Sequence, residues 1–295
     1  MRVLILGATG MLGHKMHDVL SREHDVTSTT RSVLATLPTD PAPFFRLGRV
    51  VERFEATDLT ALDSLLVDVD PAAVINCIGV IKQREAAHDA ITSITINALF
   101  PHQLVEVCAA RGIRVIHFST DCVFSGERGD YTEDDTSDAL DLYGRTKYLG
   151  EVSDPGSLTI RSSIIGRELA NFRSLLEWFL RQRGEVRGFT RAIYTGLTTV
   201  EMARSVDRVL VDHPDLEGLY QVASEKISKY NLLEMVGQHF GLQALVKLWP
   251  DETFACDRSL RGDRFVAATG IKVPAWEDMI GELAADGARY GSVTK

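Results

Sequence analysis

The stretch Arg2-Val3-Leu4-Ile5-Leu6-Gly7-Ala8-Thr9-Gly10-Met11-Leu12-Gly13 decides the fold. It begins with a short apolar run, which is typical of a strand buried on both faces of a parallel sheet. Residues 11–20 then carry apolar side chains at helical spacing. Three glycines at three-residue intervals lie between the strand and the helix, where the pyrophosphate of a dinucleotide needs close backbone approach and free N–H groups. A tight turn that binds nothing is the structural alternative.

The same alternation of strand and helix continues along the first half of the chain. Further strands are predicted over residues 25–30, 50–56, 72–75, 113–118 and 158–160, and helices over 59–67, 96–111 and 143–152. Right-handed crossovers between such elements give one parallel sheet. We therefore predict an α/β fold, a Rossmann-type doubly wound parallel sheet with a smaller C-terminal α/β substrate lobe. The expected domains are 1–160 for the dinucleotide and 161–295 mainly for the substrate, with the chain crossing between them.

Composition narrows the class of protein. The chain has 295 residues, 45% of them hydrophobic, and a formal charge of −9, which argues against a large nucleic-acid interface. No apolar run reaches the length of a membrane span, and the first one is too short for a signal peptide, so we expect a cytoplasmic protein without a membrane partner. Its four cysteines lie far apart in the sequence, so neither a metal site nor a disulfide framework is expected.

The end of the second predicted strand bears on cofactor choice. It reads Thr29-Thr30-Arg31-Ser32 and has no carboxylate for the ribose hydroxyls of NAD(H). Arg31 can instead pair with a 2′-phosphate through its planar guanidinium. NADP(H) is therefore the preferred cofactor, NAD(H) stays open, and a solvent-facing arginine is the alternative for Arg31.

Tyr143-Gly144-Arg145-Thr146-Lys147 sets a tyrosine and a lysine four residues apart, on one face of a helix. A phenol has an ordinary pKa near 10, and a nearby ammonium group favours its ionised form. We expect Lys147 to lower the pKa of Tyr143, which would carry the proton. A tyrosine and a lysine at this spacing occur easily by chance, so the other polar residues of the predicted site decide whether the pair indicates catalysis.

Polar residues follow two predicted strands at the edge where doubly wound sheets bind ligands. Ser119 and Thr120 end one of them, and Thr120 could hydrogen-bond a reacting carbonyl oxygen, whereas Ser119 could do the same or cap the loop. Asn76-Cys77-Ile78-Gly79 ends another, where the glycine would let the backbone approach a ribose or nicotinamide. A plain turn is the alternative there.

Together these motifs resemble the extended short-chain dehydrogenase/reductase superfamily. Within it, Phe118-Ser119-Thr120-Asp121-Cys122-Val123-Phe124-Ser125-Gly126 and Leu142-Tyr143-Gly144-Arg145-Thr146-Lys147-Tyr148-Leu149-Gly150-Glu151 look like the dTDP-4-dehydrorhamnose reductase family. The resemblance implies NADPH-dependent reduction of a keto group on a nucleotide-linked, 4-keto-6-deoxy type of sugar, in deoxysugar or polysaccharide biosynthesis. Cys122 stands where family members usually have tyrosine, and residues 78–83 differ from the common form, which leaves the sugar open.

The resemblance also assigns residues. It implies a catalytic trio of Thr120, Tyr143 and Lys147. The expected cofactor-binding residues are Gly7, Thr9, Gly10, Met11, Leu12, Gly13, Arg31, Ser32, Asp58, Leu59, Asn76, Cys77, Ile78, Gly79, Asn97, Ser119, Tyr143, Lys147, Ser162, Ser163 and Ile164. The expected substrate-binding residues are Val80, Lys82, Asp121, Cys122, Val123, Phe124, Tyr194, Thr195, Gly196 and Leu197.

Two rival functions remain open at this point. An epimerase or dehydratase of the same superfamily would return the hydride within one cycle, but dehydratases commonly carry an acidic pair after the catalytic hydroxyl, and here Thr120 is followed by Asp121 and Cys122. A non-catalytic NADP-binding regulatory subunit, like the one that accompanies methionine adenosyltransferase, also resembles this family. The expected partner is the small nucleotide-sugar substrate, and a homodimer is one further expectation.

Overall fold

The computed structural model describes residues 1–81 and 89–291. Its strands are β1 (Arg2–Leu6), β2 (Asp25–Thr30), β3 (Arg49–Glu52), β4 (Ala73–Asn76), β5 (Arg114–Ser119), β6 (Ser157–Arg161), β7 (Ile164–Ile165), β8 (Gly184–Tyr194), β9 (Leu197–Thr198), β10 (Gly218–Gln221), β11 (Ile227–Ser228) and β12 (Val246–Asp257). Its α-helices are α1 (Gly13–Leu20), α2 (Leu59–Val69), α3 (Ala90–Ser93), α4 (Phe100–Ala109), α5 (Leu142–Leu149), α6 (Leu175–Leu180), α7 (Thr199–Asp212), α8 (Lys229–His239), α9 (Asp263–Thr269) and α10 (Trp276–Gly287).

Seven strands within the described residues form the central parallel sheet, in the order β10-β6-β5-β4-β1-β2-β3. The strand order reverses between β1 and β4, which is where doubly wound sheets leave a crevice for a ligand. The central strands β1 and β4 are almost wholly buried, with helices on both faces, so their side chains form continuous apolar runs. The predicted Rossmann-type fold class is confirmed.

The C-terminal half contributes to both parts of the structure. Strand β10 extends the central sheet by pairing with β6, and α7 packs on the same face as α1. The long strands β8 and β12 run parallel to each other and, with β11, make a separate three-stranded sheet. Residues beyond 161 therefore supply elements to the dinucleotide-type sheet as well as to the smaller lobe.

Two predicted elements differ from those observed. Strand β3 ends at Glu52 rather than at residue 56, because Arg53 has a positive φ of 57° and turns the chain. The predicted helix over 96–111 starts earlier and contains a π-helical segment, Ile94–Leu99, between α3 and α4. Among the described residues, no helix combines the length and apolar character that crossing a membrane requires.

Candidate active site

The glycine loop connects β1 to α1 at the crevice of the central sheet. Gly7 has a φ of 85°, and a side chain on it would lie 2.9 Å from Ile78. A side chain on Gly13 would collide with the backbone of Gly7 and Ala8, so this glycine permits tight packing of helix on strand. No side chain caps α1 at its N-cap, Leu12, so its first N–H groups can serve an anionic ligand.

The polar end of β2 lies beside this loop. The hydroxyls of Thr9 and Thr30 are 3.2 Å apart, and Ser32 N donates to Thr30 Oγ1. Arg31 is exposed and makes no hydrogen bond or ion pair within the described residues. Its guanidinium can therefore take a phosphate without giving up an existing partner.

Two further groups of predicted cofactor residues lie at the carboxyl edge of the sheet. Asp58 is exposed and caps α2 by accepting from the backbone N–H groups of Thr60 and Ala61, and Leu59 follows it half-buried. After β4, Asn76 Oδ1 accepts from Ile78 N, which shapes the turn that holds Cys77 and Gly79. Asn76 thus acts through the backbone geometry of this turn.

Asn97 fastens the loop after β4 to helix α5. Its side chain makes two hydrogen bonds with the backbone of Val80 and a third, of 3.3 Å, to Thr146 Oγ1. Asn97 lies in the π-helical segment, a distortion that is frequent at functional sites. A side chain on Gly150 would overlap Asn97 O, so α5 ends in direct backbone contact with this segment.

The predicted catalytic hydroxyls meet at the carboxyl end of β5. Thr120 Oγ1 donates to Asp121 Oδ1 over 3.0 Å and accepts from Cys122 N. Helix α5 brings the phenol of Tyr143 close enough to the Thr120 hydroxyl for that hydroxyl to lower the phenol pKa. Thr120 and Asp121 are buried, so the proton-bearing groups are largely shielded from solvent.

The pKa of Tyr143 moves opposite to the sequence-based expectation. Burial raises it above its ordinary value, Cys122 and Asp121 raise it further, and the Thr120 hydrogen bond opposes them only in part. The phenol therefore stays protonated at neutral pH. A protonated phenol is the form that can donate to a carbonyl oxygen.

Lys147 is buried one turn along α5. Its Nζ donates to Phe118 O over 2.6 Å and lies 3.5 Å from His117 Nε2. Burial lowers the pKa of Lys147 to about 8, and Glu151 offsets part of that effect. Because burial and the charge of Lys147 lower the pKa of His117 well below its ordinary value, this imidazole is neutral.

Ser119 is committed to a buried ion pair. Its hydroxyl donates to Glu151 Oε1 over 2.6 Å, and the same carboxylate takes two hydrogen bonds from Arg161. Ser119 thus connects the end of β5 to Glu151 and, through it, to Arg161 on β6, and its predicted roles at the carbonyl oxygen or as a loop cap stay predictions.

Tyr194, Thr195 and Gly196, which are predicted to bind the substrate, lie at the end of β8 and directly after it. Burial raises the pKa of Tyr194, and Asp121 and Cys122 are near enough to raise it further. Gly196 lies against this phenol, where a side chain would collide with it. Thr195 instead accepts from Leu260 N and is buried.

Several predicted site residues are wholly or partly buried. Val123, Phe124 and Leu197 are fully buried in apolar clusters, and their assignment to the substrate stays a prediction. The remaining predicted contacts, Ser162, Ser163 and Ile164, follow β6, with Ser162 buried and the other two half-buried. Lys82 lies outside the described residues.

Arg258 is a candidate site residue that sequence reasoning missed. It follows the end of β12, where its Nε donates to Phe124 O over 2.8 Å and its Nη1 lies 3.7 Å from Cys122 Sγ. Asp121 and Asp141 are close enough to raise its pKa. Thr120 and Arg258 are far apart in the sequence, so no local pattern indicates that they are close. The only available signal was the loose resemblance of Asp257-Arg258-Ser259-Leu260 to the C-terminal part of the family.

His14 is another residue that sequence reasoning missed, because it supports the glycine loop from behind. Its Nδ1 lies 2.8 Å from Gly10 O and its Nε2 lies 2.5 Å from the Tyr290 hydroxyl. Burial lowers the pKa of His14 to about 4, so the ring is neutral. Elsewhere in the described residues, no three His, Cys, Asp or Glu side chains are grouped to hold a metal ion.

Comparison with known proteins identifies a matching family and several individual relatives. Residues 1–288 match the family model described as RmlD substrate binding domain. The dTDP-4-keto-6-deoxy-D-glucose reductase of Streptomyces niveus is 28% identical over 179 residues, covering 58% of this chain and 55% of that protein. Methionine adenosyltransferase 2 subunit beta of Mus musculus is 30% identical over 152 residues, covering 51% of this chain and 41% of that protein.

A solved structure shares the fold over nearly the whole chain. The dTDP-4-dehydrorhamnose reductase of Bacillus anthracis str. Ames, in complex with NADP, superimposes with a TM-score of 0.77 at 19% identity, covering 97% of this chain and 99% of that one. The chain spans about half the length of the curated relatives it matches first.

Proposed function

The chain belongs to the RmlD substrate-binding domain family, and we propose that it reduces the keto group of a nucleotide-linked, 4-keto-6-deoxy sugar with NADPH. The observation that carries this proposal is the meeting of Thr120, Tyr143 and Lys147 at the carboxyl edge of β5, beside the glycine loop. The proposed setting is cytoplasmic deoxysugar or polysaccharide biosynthesis.

The residues present fit the dinucleotide. The uncapped N-terminus of α1 suits the pyrophosphate, Arg31 suits a 2′-phosphate, and we assign the ribose hydroxyls to Lys147. NADPH supplies the hydride when bound. Arg31 can bind without giving up a hydrogen-bonded partner, whereas Lys147 has to turn from Phe118 O toward the ribose.

The chain's own residues hold the proton and donate it to the substrate. Tyr143, kept neutral by burial, donates its proton to the carbonyl oxygen as that oxygen gains charge. Thr120 steadies the same oxygen by turning its single O–H from Asp121 Oδ1, to which it donates in the structure, toward that oxygen. Lys147 holds its ammonium group on Phe118 O, ready to turn toward the ribose.

The direct experiment follows NADPH oxidation with a panel of 4-keto-6-deoxy sugar nucleotides. Oxidation in step with formation of the hydroxy sugar supports a reductase. Turnover without net loss of NADPH would identify an epimerase or dehydratase and contradict the proposal.

Replacing Arg31 should change cofactor preference. A guanidinium–phosphate bond contributes roughly 1.5–3 kcal/mol, so Arg31→Ala is expected to raise the KM for NADPH by about ten- to a hundredfold. The KM for NADH is the internal control, because that cofactor lacks the 2′-phosphate. Equal effects on both cofactors would remove Arg31 from phosphate recognition.

Activity should fall at alkaline pH. Because burial depresses the pKa of Lys147 to about 8, its ammonium form predominates below that pH and is lost as pH rises through it. We expect kcat/KM for NADPH to decline about tenfold per pH unit above 8. The phenol of Tyr143, with its raised pKa, and the thiol of Cys122, with a pKa raised to about 12, do not titrate in that range. A flat profile up to pH 10 would contradict this role of Lys147.

A regulatory subunit is the second candidate, favoured by the similarity to methionine adenosyltransferase 2 subunit beta. It predicts NADP binding without turnover of any keto sugar, together with co-purification of a larger enzyme. The panel experiment separates the two candidates because only the reductase consumes NADPH.

We also propose a homodimer through a helical face. Large apolar side chains are exposed on α3, the π-helical segment and α5, and they are Ile91, Ile94, Leu99, Tyr148 and Leu149. A contiguous apolar surface on neighbouring helices is a common marker of association. Sedimentation velocity should give a dimer that Leu149→Glu converts to a monomer, and a wild-type monomer would contradict it.

A further inference from the structure

A cavity of about 1210 Å³ lies apart from the candidate active site. It is enclosed by the C-terminal end of α1, the loop between β2 and β3, the segment around α6 and residues 288–291. None of the residues proposed for NADPH or the sugar lines it. We call it the arginine cavity because its charged lining consists of Arg22, Arg46, Arg167, Arg181, Arg289, Asp18, Asp40 and Glu177.

Two of the five arginines form a fixed inner wall. Arg289 makes two hydrogen bonds to Asp18, of 2.6 and 2.8 Å, and Arg167 donates to Glu177 over 2.7 Å. Their guanidinium groups also lie over the rings of Phe44 and Tyr290, respectively, at 4.6 and 4.9 Å from the ring centres. These contacts hold the inner wall in one geometry before any ligand arrives.

The other three arginines are poorly compensated. Arg22 is 3.5 Å from Asp18, and Arg181 is 3.7 Å from Glu177, but both carboxylates already pair with the inner wall. Arg181 also donates to Phe172 O over 3.1 Å and lies over the Phe172 ring, contacts that leave its charge uncompensated. Arg46 makes no hydrogen bond or ion pair with any described residue. The remaining carboxylate, Asp40, accepts from Ala42 N in its own turn.

The arginine cavity is therefore a positive enclosure in a chain of net charge −9. Five guanidinium groups face three carboxylates, which leaves an excess of two positive charges. Guanidinium forks match phosphate oxygens bidentately, and arginines from separate segments can engage a tetrahedral group from several sides. The volume of about 1210 Å³ is slightly larger than the roughly 300–1,000 Å³ of typical ligand pockets, so the cavity has room for a small molecule.

We propose that the arginine cavity binds a multiply charged phosphorylated small molecule, at a site separate from the reductase centre. The paired inner wall sets the shape of the site. The other three arginines, Arg22, Arg46 and Arg181, form the rim of the cavity and supply the positive charge that the phosphoryl group neutralises. The proposal does not depend on the reductase activity.

Calorimetric titration with inorganic pyrophosphate tests it, with and without saturating NADP to separate any binding at the glycine loop. Arg22→Ala/Arg46→Ala should weaken the NADP-independent binding at least tenfold. The matched control Arg187→Ala/Arg191→Ala removes two exposed arginines of β8 and should leave it unchanged. Arg46→Ala alone should also weaken binding, and because Arg46 has no described partner, this variant removes no interaction that supports the fold.

Three results would overturn the proposal. One is absence of pyrophosphate binding by the wild-type chain in the presence of NADP. Another is equal loss of affinity in the rim and control variants, which would indicate a general charge effect. The third is citrate binding as tightly as pyrophosphate, which would exclude phosphoryl recognition.

Discussion

Tyr143→Phe is expected to lower kcat at least about a hundredfold while leaving the dissociation constant of NADPH nearly unchanged. The substitution removes one hydroxyl, and that hydroxyl carries the proton the carbonyl oxygen needs. Burial, Asp121 and Cys122 keep the proton on the phenol by raising its pKa. The loss should therefore appear in the chemical step, measured by single-turnover oxidation of NADPH.

Helix α5 offers a matched control for this experiment. Tyr148 lies five residues further on, with its side chain exposed. Tyr148→Phe removes the same hydroxyl from the same helix but keeps the apolar ring that we assign to the dimer face, so it should leave turnover unchanged. If both variants retain full activity, Tyr143 is not the proton donor and the reductase proposal loses its central residue.

Much of the fold follows from local pattern. Arg2–Leu6 and Asp25–Thr30 were predicted with the observed bounds. The first is a short apolar run before a glycine turn, and such runs specify buried strands. The β10 strand escaped prediction because three of its four residues are only half-buried and its partner, β6, lies far earlier in the sequence, with Gly218 paired to Leu158.

The site was less predictable than the fold because side-chain direction depends on distant partners. The motif from Ser119 to Phe124 is continuous in sequence, yet Ser119 binds Glu151 and Phe124 stacks on Tyr131. Arg258 joins the same region only because the end of β12 pairs with residues near Gly126. No local spacing encodes such long-range contacts.

The pKa of Tyr143 could not be predicted from local sequence for the same reason. The spacing of Tyr143 and Lys147 indicates a shared helix face, and it led us to expect a lowered phenol pKa. In the structure Lys147 directs its ammonium group to Phe118 O, and burial dominates the phenol. Burial of this kind depends on packing against the rest of the chain, which a five-residue motif does not reveal.

Gly144→Ala is expected to disable the enzyme although it adds only one methyl group. Gly144 follows Tyr143 on α5, and a side chain there would overlap Cys122 O and lie 2.6 Å from Ala139 Cβ. A carbonyl oxygen of the backbone cannot rotate away, so α5 must move off the turn that carries Thr120. A displacement of about 1 Å at reacting groups can cost about a hundredfold in rate, and we expect a loss of kcat of that order.

Gly237→Ala in α8 is the matched control, because its new methyl group would meet only the Phe179 ring, at 3.8 Å. Both substitutions favour the helix by up to about 1 kcal/mol, so Gly237→Ala should keep or raise the melting temperature. Gly144→Ala should lower it, since overpacking costs about 1–3 kcal/mol. NADPH binding should weaken less than kcat falls, because Lys147 moves with α5 but the glycine loop lies outside the clash. Wild-type kcat in Gly144→Ala would show that close contact between α5 and the Thr120 turn is not what positions Tyr143.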